Sequence, residues 1–260
     1  MGARGPRSLP REHGARGLAN RGRSGSRAGP APATSARWVP AHYGHGVAVF
    51  DLDRTLISGS SLGRFGRELV RQELVARRHV ARHVPLEQLF RRRGLAGGRL
   101  DDLVHRLLDV AAGAEVGPLL EVARSMGDAL ASEVTPAARF LVDRHLRAGD
   151  FCVIVSASPH ELVEAVAAAL GVHRAVGTRL EMHAGQLTGR LDGPFCYGVG
   201  KLEALEREVG LLDLSSATGY ADSGSDLPLL ERCGTAVAVN PDAELRRWAR
   251  SHDWPIVRFG

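Results

Sequence analysis

Apolar and polar positions follow two different periods along this chain. Val47 to Phe50 are an unbroken apolar run that stops at Asp51. A short run without a polar member is the pattern of a strand buried on both faces. From residue 60 to about residue 132 the period becomes helical. Leu62, Phe65, Leu69 and Leu74, then Leu103, Leu107 and Val110, then Leu119, Val122 and Met126 recur at rough helical spacing, with Gly94, Gly97 and Gly98 punctuating the middle. Thr135 and Pro136 start another helix, as cap and first-turn residue, and Gly149 ends it. The run FCVIVSASP predicts a buried strand over Phe151 to Val155 and then a polar turn, with Pro159 opening a helix to about Leu170. Residues 178–193 alternate around Ala184 and Gly185 and predict a β-hairpin. A helix follows near Lys201, then strands in ATGYA and TAVAVN, a helix opened by Pro241 and Asp242, and a last short strand in PIVRF.

Strands alternating with helices imply parallel pairing and right-handed crossovers. In such sheets ligands bind beyond the carboxyl ends of the strands. Asp51, Asp53, Ser156, Asp222 and Asp226 all fall at strand ends, although they come from three strands far apart in sequence. Two carboxylates at the mouth of a buried strand repel each other and are costly to desolvate. Either a cation lies between them or they do chemistry.

Charge divides the chain. Residues 1–40 hold eight arginines and one acid, Glu12, while the remaining residues hold 26 basic and 28 acidic side chains. The basicity therefore belongs to an Arg/Gly/Ala/Pro/Ser-rich tail with no apolar period, which is expected to be disordered and solvated. Such a tail is also compatible with an RNA-binding arm, a transit peptide or an over-extended start of translation. No apolar run is long enough to cross a bilayer. Cys152, Cys196 and Cys233 are odd in number and widely spaced, which fits neither a zinc pair nor a disulfide framework and favours a reducing, cytoplasmic compartment. The chain has 33 arginines and a single lysine, Lys201, so a compact point charge is expected to matter there.

Two motif matches fail. GVGK at Gly198 to Lys201 is not a phosphate-binding P-loop, because Phe195 occupies the first glycine position and Leu202 replaces the Ser/Thr. Asp222 to Asp226 is not an EF-hand loop, because its middle ligand is Gly224 and no glycine follows Asp226. His42 and His45 precede the first strand and read as solvated, and Arg91 to Arg93 read as an exposed basic face.

The ordered set of Asp51, Asp53 and Thr55, then Ser156, then Lys201, then Asp222 and Asp226 resembles the four motifs of the haloacid-dehalogenase-like (HAD) superfamily over about residues 46–258. The segments VSASP and VNPDAELRRWARSHDWPI resemble its phosphoserine-phosphatase-like branch, subfamily IB. The resemblance implies an α/β fold: a Rossmann-like three-layer parallel sheet with a helical C1 cap inserted after the first strand. Residues 1–43 would be the tail, 44–59 and 133–260 the catalytic core, and 60–132 the cap.

It also implies a Mg2+-dependent phosphomonoester hydrolase working through an aspartyl-phosphate on a small phosphorylated metabolite. Asp51 would be the nucleophile and Asp53 the general acid and then base. Asp51, the Asp53 backbone carbonyl and Asp222 would hold the metal, and Asp226 would orient metal water or Lys201. Ser156, Thr55 and Lys201 would contact the phosphoryl group. Ser225 stands where the family often has Asn. A phosphotransferase or mutase of the same fold, and an RNA-binding protein using the tail with this body as scaffold, are the alternatives. Nucleic acid would concern the tail only, and no membrane is implied. Substrate choice is expected in the cap. Phosphoserine phosphatases carry an acid seven residues after the second motif aspartate, where this chain has Ser60, so phosphoserine is disfavoured. Arg64 and Arg67 suggest a second anionic group, or else a solvated helix face.

Overall fold

The computed structural model describes residues 46–75, 104–106, 108–109 and 111–259. The expectations for the tail, for His42 and His45, for Arg91 to Arg93, for Gly94, Gly97 and Gly98, and for Leu103, Leu107 and Val110 fall outside these residues.

A six-stranded sheet forms the centre. Its strands are β1 (Val47–Phe50), β2 (Phe151–Pro159), β3 (Arg174–Thr178), β6 (Ala217–Ala221), β7 (Thr235–Val239) and β8 (Ile256–Val257). The order is β3-β2-β1-β6-β7-β8, and every pairing in this sheet is parallel. β4 (Leu180–His183) and β5 (Gln186–Leu191) form the separate antiparallel hairpin that the alternation around Ala184 and Gly185 predicts.

The helices are α1 (Ser61–Arg71), α2 (Val116–Ser132), α3 (Pro136–Ala148), α4 (His160–Leu170), α5 (Gly200–Val209), α6 (Leu227–Leu230) and α7 (Ala243–Ser251). Side-chain alternation along the strands produces the layers. Ala48, Phe50, Cys152 and Ile154 pack on one side with residues of α2, α3 and α4. Val49, Phe151, Val153 and Val155 pack on the other with Ala204, Leu205 and Val209 of α5. The α/β expectation with a parallel sheet holds.

Caps and glycines locate the elements as local chemistry requires. Thr135 Oγ1 accepts a hydrogen bond from Ala138 N, and Gly149 ends α3 in the left-handed conformation. Gly127 of α2 lies so close to α4 that a Cβ there would sit 2.3 Å from Ala165 Cβ.

Three expectations are corrected. Leu74 lies beyond α1, because the backbone turns at Glu73 with φ 60°. β2 does not yield to a turn at Ser156 but continues to Pro159, which pairs with Thr178. That partner strand, β3, was not anticipated, since RAVGT opens on a charge and contains a glycine. Gly177 is required there, because a Cβ would come within 2.5 Å of His160 Cα.

Candidate active site

β1 sits centrally, with the sheet order running outward from it in both directions. Phe50 pairs with Ile154 on one side and Tyr220 on the other, so Asp51 emerges level with Val155 and Ala221. Ser156 and Asp222 follow one residue later on their own strands. This is the crevice at a topological switch point. After Asp51, Leu56 N and Ile57 N both donate to Leu52 O, which folds the loop into a tight turn and returns Asp53 to the same mouth. Arg54 takes φ 60° within that turn, and its carbonyl accepts from Asn240 Nδ2 at 3.1 Å.

The four motif regions meet here. Asp51, Asp222 and Asp226 are buried, and each offers a carboxylate oxygen within 4.8 Å of the others. Lys201, 3% exposed, places Nζ 2.6 Å from Asp51 Oδ1 and 2.5 Å from Asp226 Oδ1. Both contacts are buried ion pairs. Thr55 Oγ1 donates to Asp51 Oδ2 at 3.2 Å. Ser156 is buried, and its Oγ accepts from Ser158 N at 3.3 Å.

Burial drives the electrostatics. It pushes the Asp222 and Asp226 carboxyls above their ordinary range, and neighbouring carboxylates push the same way. Burial opposes the charge on Lys201 too, but Asp226 and Asp51 outweigh it and hold the ammonium above its ordinary value. Three buried acids face the Lys201 ammonium and the Arg54 guanidinium, which leaves the cluster short of one positive charge. An all-oxygen donor set of this kind suits a hard divalent cation.

Asp53 stands apart from that cluster. Its Oδ1 accepts from Ser61 N at 2.9 Å and from Ser61 Oγ at 2.5 Å, at the start of α1. Burial is the main cause that raises its carboxyl to about 6, with Asp51 adding and Ser61 opposing. Its side chain is thus occupied by Ser61 rather than gathered with Asp51 and Asp222.

Four residues to which the sequence assigned no role at the site take part in it: Arg54, Ser61, Ser158 and Asp242. Arg54 Nε donates to Asp222 Oδ2 at 2.6 Å. Ser61 Oγ bridges Asp53 to Ser158 Oγ, 2.6 Å away. Asp242 accepts from Gly224 N at 3.1 Å while capping α7 through Leu245 N, which fixes the loop that carries Asp222 and Asp226. Only Asp242 carried a readable signal, as an Asp-Ala-Glu helix start.

The residues expected to select substrate separate. Ser60 Oγ caps α1 by accepting from Gly63 N at 3.1 Å. Arg64 is engaged by Glu133 and by the Ser58 carbonyl. Arg67 is exposed and lines the cavity above the acids, as Ser60 does. The three cysteines are free, and burial pushes each thiol to about 12, so none is a nucleophile at neutral pH. No described helix is long and apolar enough to cross a membrane.

Comparison with known proteins agrees with this geometry. Residues 48–231 match the haloacid dehalogenase-like hydrolase family. The chain is 36% identical over 223 residues to phosphoserine phosphatase SerB1 of Mycobacterium tuberculosis, covering 82% of this chain and 70% of that protein. It is 31% identical over 228 residues to a histidinol-phosphatase of Neisseria meningitidis, covering 82% of this chain and 98% of the other. A crystal structure of a protein of unknown function from Bordetella pertussis aligns with a TM-score of 0.69 at 28% identity, over 81% of this chain and 97% of that one. The chain belongs to the haloacid dehalogenase-like hydrolases and is a phosphatase of their phosphoserine-phosphatase-like branch.

Proposed function

We propose that this phosphatase is a Mg2+-dependent phosphomonoester hydrolase that works through an aspartyl-phosphate on a small phosphorylated metabolite. The observation that carries this reading is the pairing of Asp51 with Lys201 at 2.6 Å inside a buried cluster with Asp222 and Asp226. A phosphate monoester and a carboxylate nucleophile are both anions. Bound Mg2+ would supply the positive charge that lets them approach, held by Asp51, Asp222 and the Asp53 backbone carbonyl, with Asp226 orienting it and Lys201.

The chain's own residues then divide the work. An Asp51 carboxylate oxygen attacks phosphorus, and the bond from phosphorus to the ester oxygen breaks. Asp53, as the carboxylic acid, gives its proton to the departing alkoxide. The resulting Asp53 carboxylate takes a proton from water, whose oxygen attacks the aspartyl-phosphate and releases inorganic phosphate and the Asp51 carboxylate. Ser156, Thr55 and Lys201 hold the phosphoryl oxygens, with Lys201 facing the charge that spreads over them. The carboxyl near 6 at Asp53 suits a group that both gives and takes a proton. In this reading residues 60–132 serve as a C1 cap to a core of 44–59 and 133–260, and substrate choice is shared between that cap and the β4-β5 hairpin of the core, since residues of both line the cavity.

The test is hydrolysis of p-nitrophenyl phosphate with and without Mg2+, by the wild type and Asp51→Asn. Turnover should require Mg2+ and vanish in the variant. Turnover near wild type in Asp51→Asn would reject the nucleophile. Phosphate passing to an added alcohol instead of water would mark a transferase.

A further inference from the structure

The acid cluster lines a cavity of about 390 Å³ whose wall is mostly hydrocarbon. Asp51, Asp53, Ser156 and Lys201 belong to its polar lining. Among the described residues, its apolar wall comes from Leu62 and Phe65 of α1, from Val104 and Leu108, from Leu120 of α2, and from Leu180, Met182 and Leu187 of the hairpin. The charged side chains that line it beyond the acids, Lys201 and Arg54 are Arg67 and Glu161, among the described residues. Arg67 is exposed. The hydroxyls of Ser60, Ser158, Thr178, Tyr197, Ser223 and Ser225 line it as well. A polar leaving group such as serine or glycerol would find partners at these groups only and would give up water against leucine, phenylalanine and methionine elsewhere, which is costly. An apolar one would gain from every methylene it buries.

We infer that the leaving alcohol carries an apolar chain or ring that fills this chamber, so that the substrate class is amphiphilic phosphomonoesters. This rests on the phosphatase reading above and specifies its substrate. Gly63 and Gly66 of α1 open the chamber, since both line it, and a Cβ at Gly66 would meet no atom within 4 Å. A side chain placed at Gly66 would therefore have room to enter the cavity it lines.

The experiment is a series of n-alkyl phosphates from ethyl to octyl, whose leaving groups share one basicity, with phosphoserine and glycerol phosphate alongside. Binding of the matching alkylphosphonates, which cannot be hydrolysed, is measured by calorimetry. kcat/KM and phosphonate affinity should rise about fourfold per methylene until the chamber is full. Octylphosphonate binding should show a negative heat-capacity change. Gly66→Leu removes a helix glycine and should fold at least as well, while its octyl-to-ethyl ratio falls at least tenfold in both measurements.

A flat phosphonate series, a preference for phosphoserine or glycerol phosphate, or an unchanged ratio in Gly66→Leu would overturn the inference. If no monoester is hydrolysed yet affinity still climbs with chain length, the chamber stands and the phosphatase chemistry fails.

Discussion

Ser61 Oγ lies 2.5 Å from Asp53 Oδ1, and the Ser61 backbone N–H points at the same oxygen. The first residue of α1 thus holds the carboxyl that would move the protons. A helix start favours the ionised form and burial favours the neutral one, and the balance lies near 6. The insertion after β1 therefore sets a property of the chemistry as well as a wall of the cavity.

The first prediction concerns rate against pH. Alkyl phosphates need a proton on the leaving oxygen, whereas p-nitrophenolate departs without one. The ratio of alkyl to aryl kcat/KM should fall about tenfold per pH unit once Asp53 ionises above its value of about 6. Parallel profiles for the two substrates would remove Asp53 from the role of acid.

Stability shows the same group with a definite sign. Asp53 is raised from 3.8 to about 6 in the folded chain, so its contribution is fully present below the ordinary value and is lost as pH rises through about 6. Asp53→Asn retains an acceptor for Ser61 and cannot ionise. It should stabilise the metal-free protein by about 2 kcal/mol at alkaline pH and by little at acid pH. Urea unfolding at about pH 4 and about pH 8 checks this, and an equal effect at both would contradict it.

Ser61→Ala removes the hydroxyl that joins Asp53 to Ser158. Because that bond lowers the Asp53 carboxyl, its loss should move the pH optimum upward. The cost in folding should be about 1 kcal/mol, because Ser158 Oγ loses its partner while Asp53 keeps the backbone N–H of residue 61. An optimum that stays in place would show that Ser61 does not tune the acid.

Lys201→Met leaves Asp51 and Asp226 without their buried ammonium. Breaking one side of a buried ion pair costs about 3–5 kcal/mol, and losing the charge opposite the phosphoryl oxygens should cost about 10²–10³ in kcat. Lys201→Arg should recover part of the stability and little of the rate, since a planar fork does not replace a point charge at this spacing. Full recovery by arginine would reduce Lys201 to a counter-charge.

Packing is tested at Gly127, where even a Cβ would overlap Ala165. Gly127→Val should destabilise by about 1–3 kcal/mol by forcing α2 away from α4. A thermal midpoint equal to wild type would mean that the helices separate freely.

Much of this was legible because buried parallel strands and capped helices leave local marks. β1, the start of α3 at Thr135 and Pro136, and the hairpin around Ala184 and Gly185 all stand where the pattern places them. The acids were legible as a spaced set, though their meeting in space was an inference from fold. β3 was hidden because its glycine answers to a neighbour, His160, that is distant in the chain. Arg54 was hidden because arginine does not advertise a left-handed turn. Leu74 misled because it keeps the helical interval while the backbone has already turned.

The contact of Gly127 with Ala165 ties α2, the last helix of the inserted segment, to α4 in the layer that covers the sheet. That part of the inserted segment is then framework, no freer to shift than the strands beneath it. Among the described elements that line the cavity, adaptation to a new alcohol then falls to α1 and the β4-β5 hairpin. A lineage could exchange one substrate for another by rewriting some twenty positions there, while the acids, the lysine and the sheet that presents them pass on unchanged.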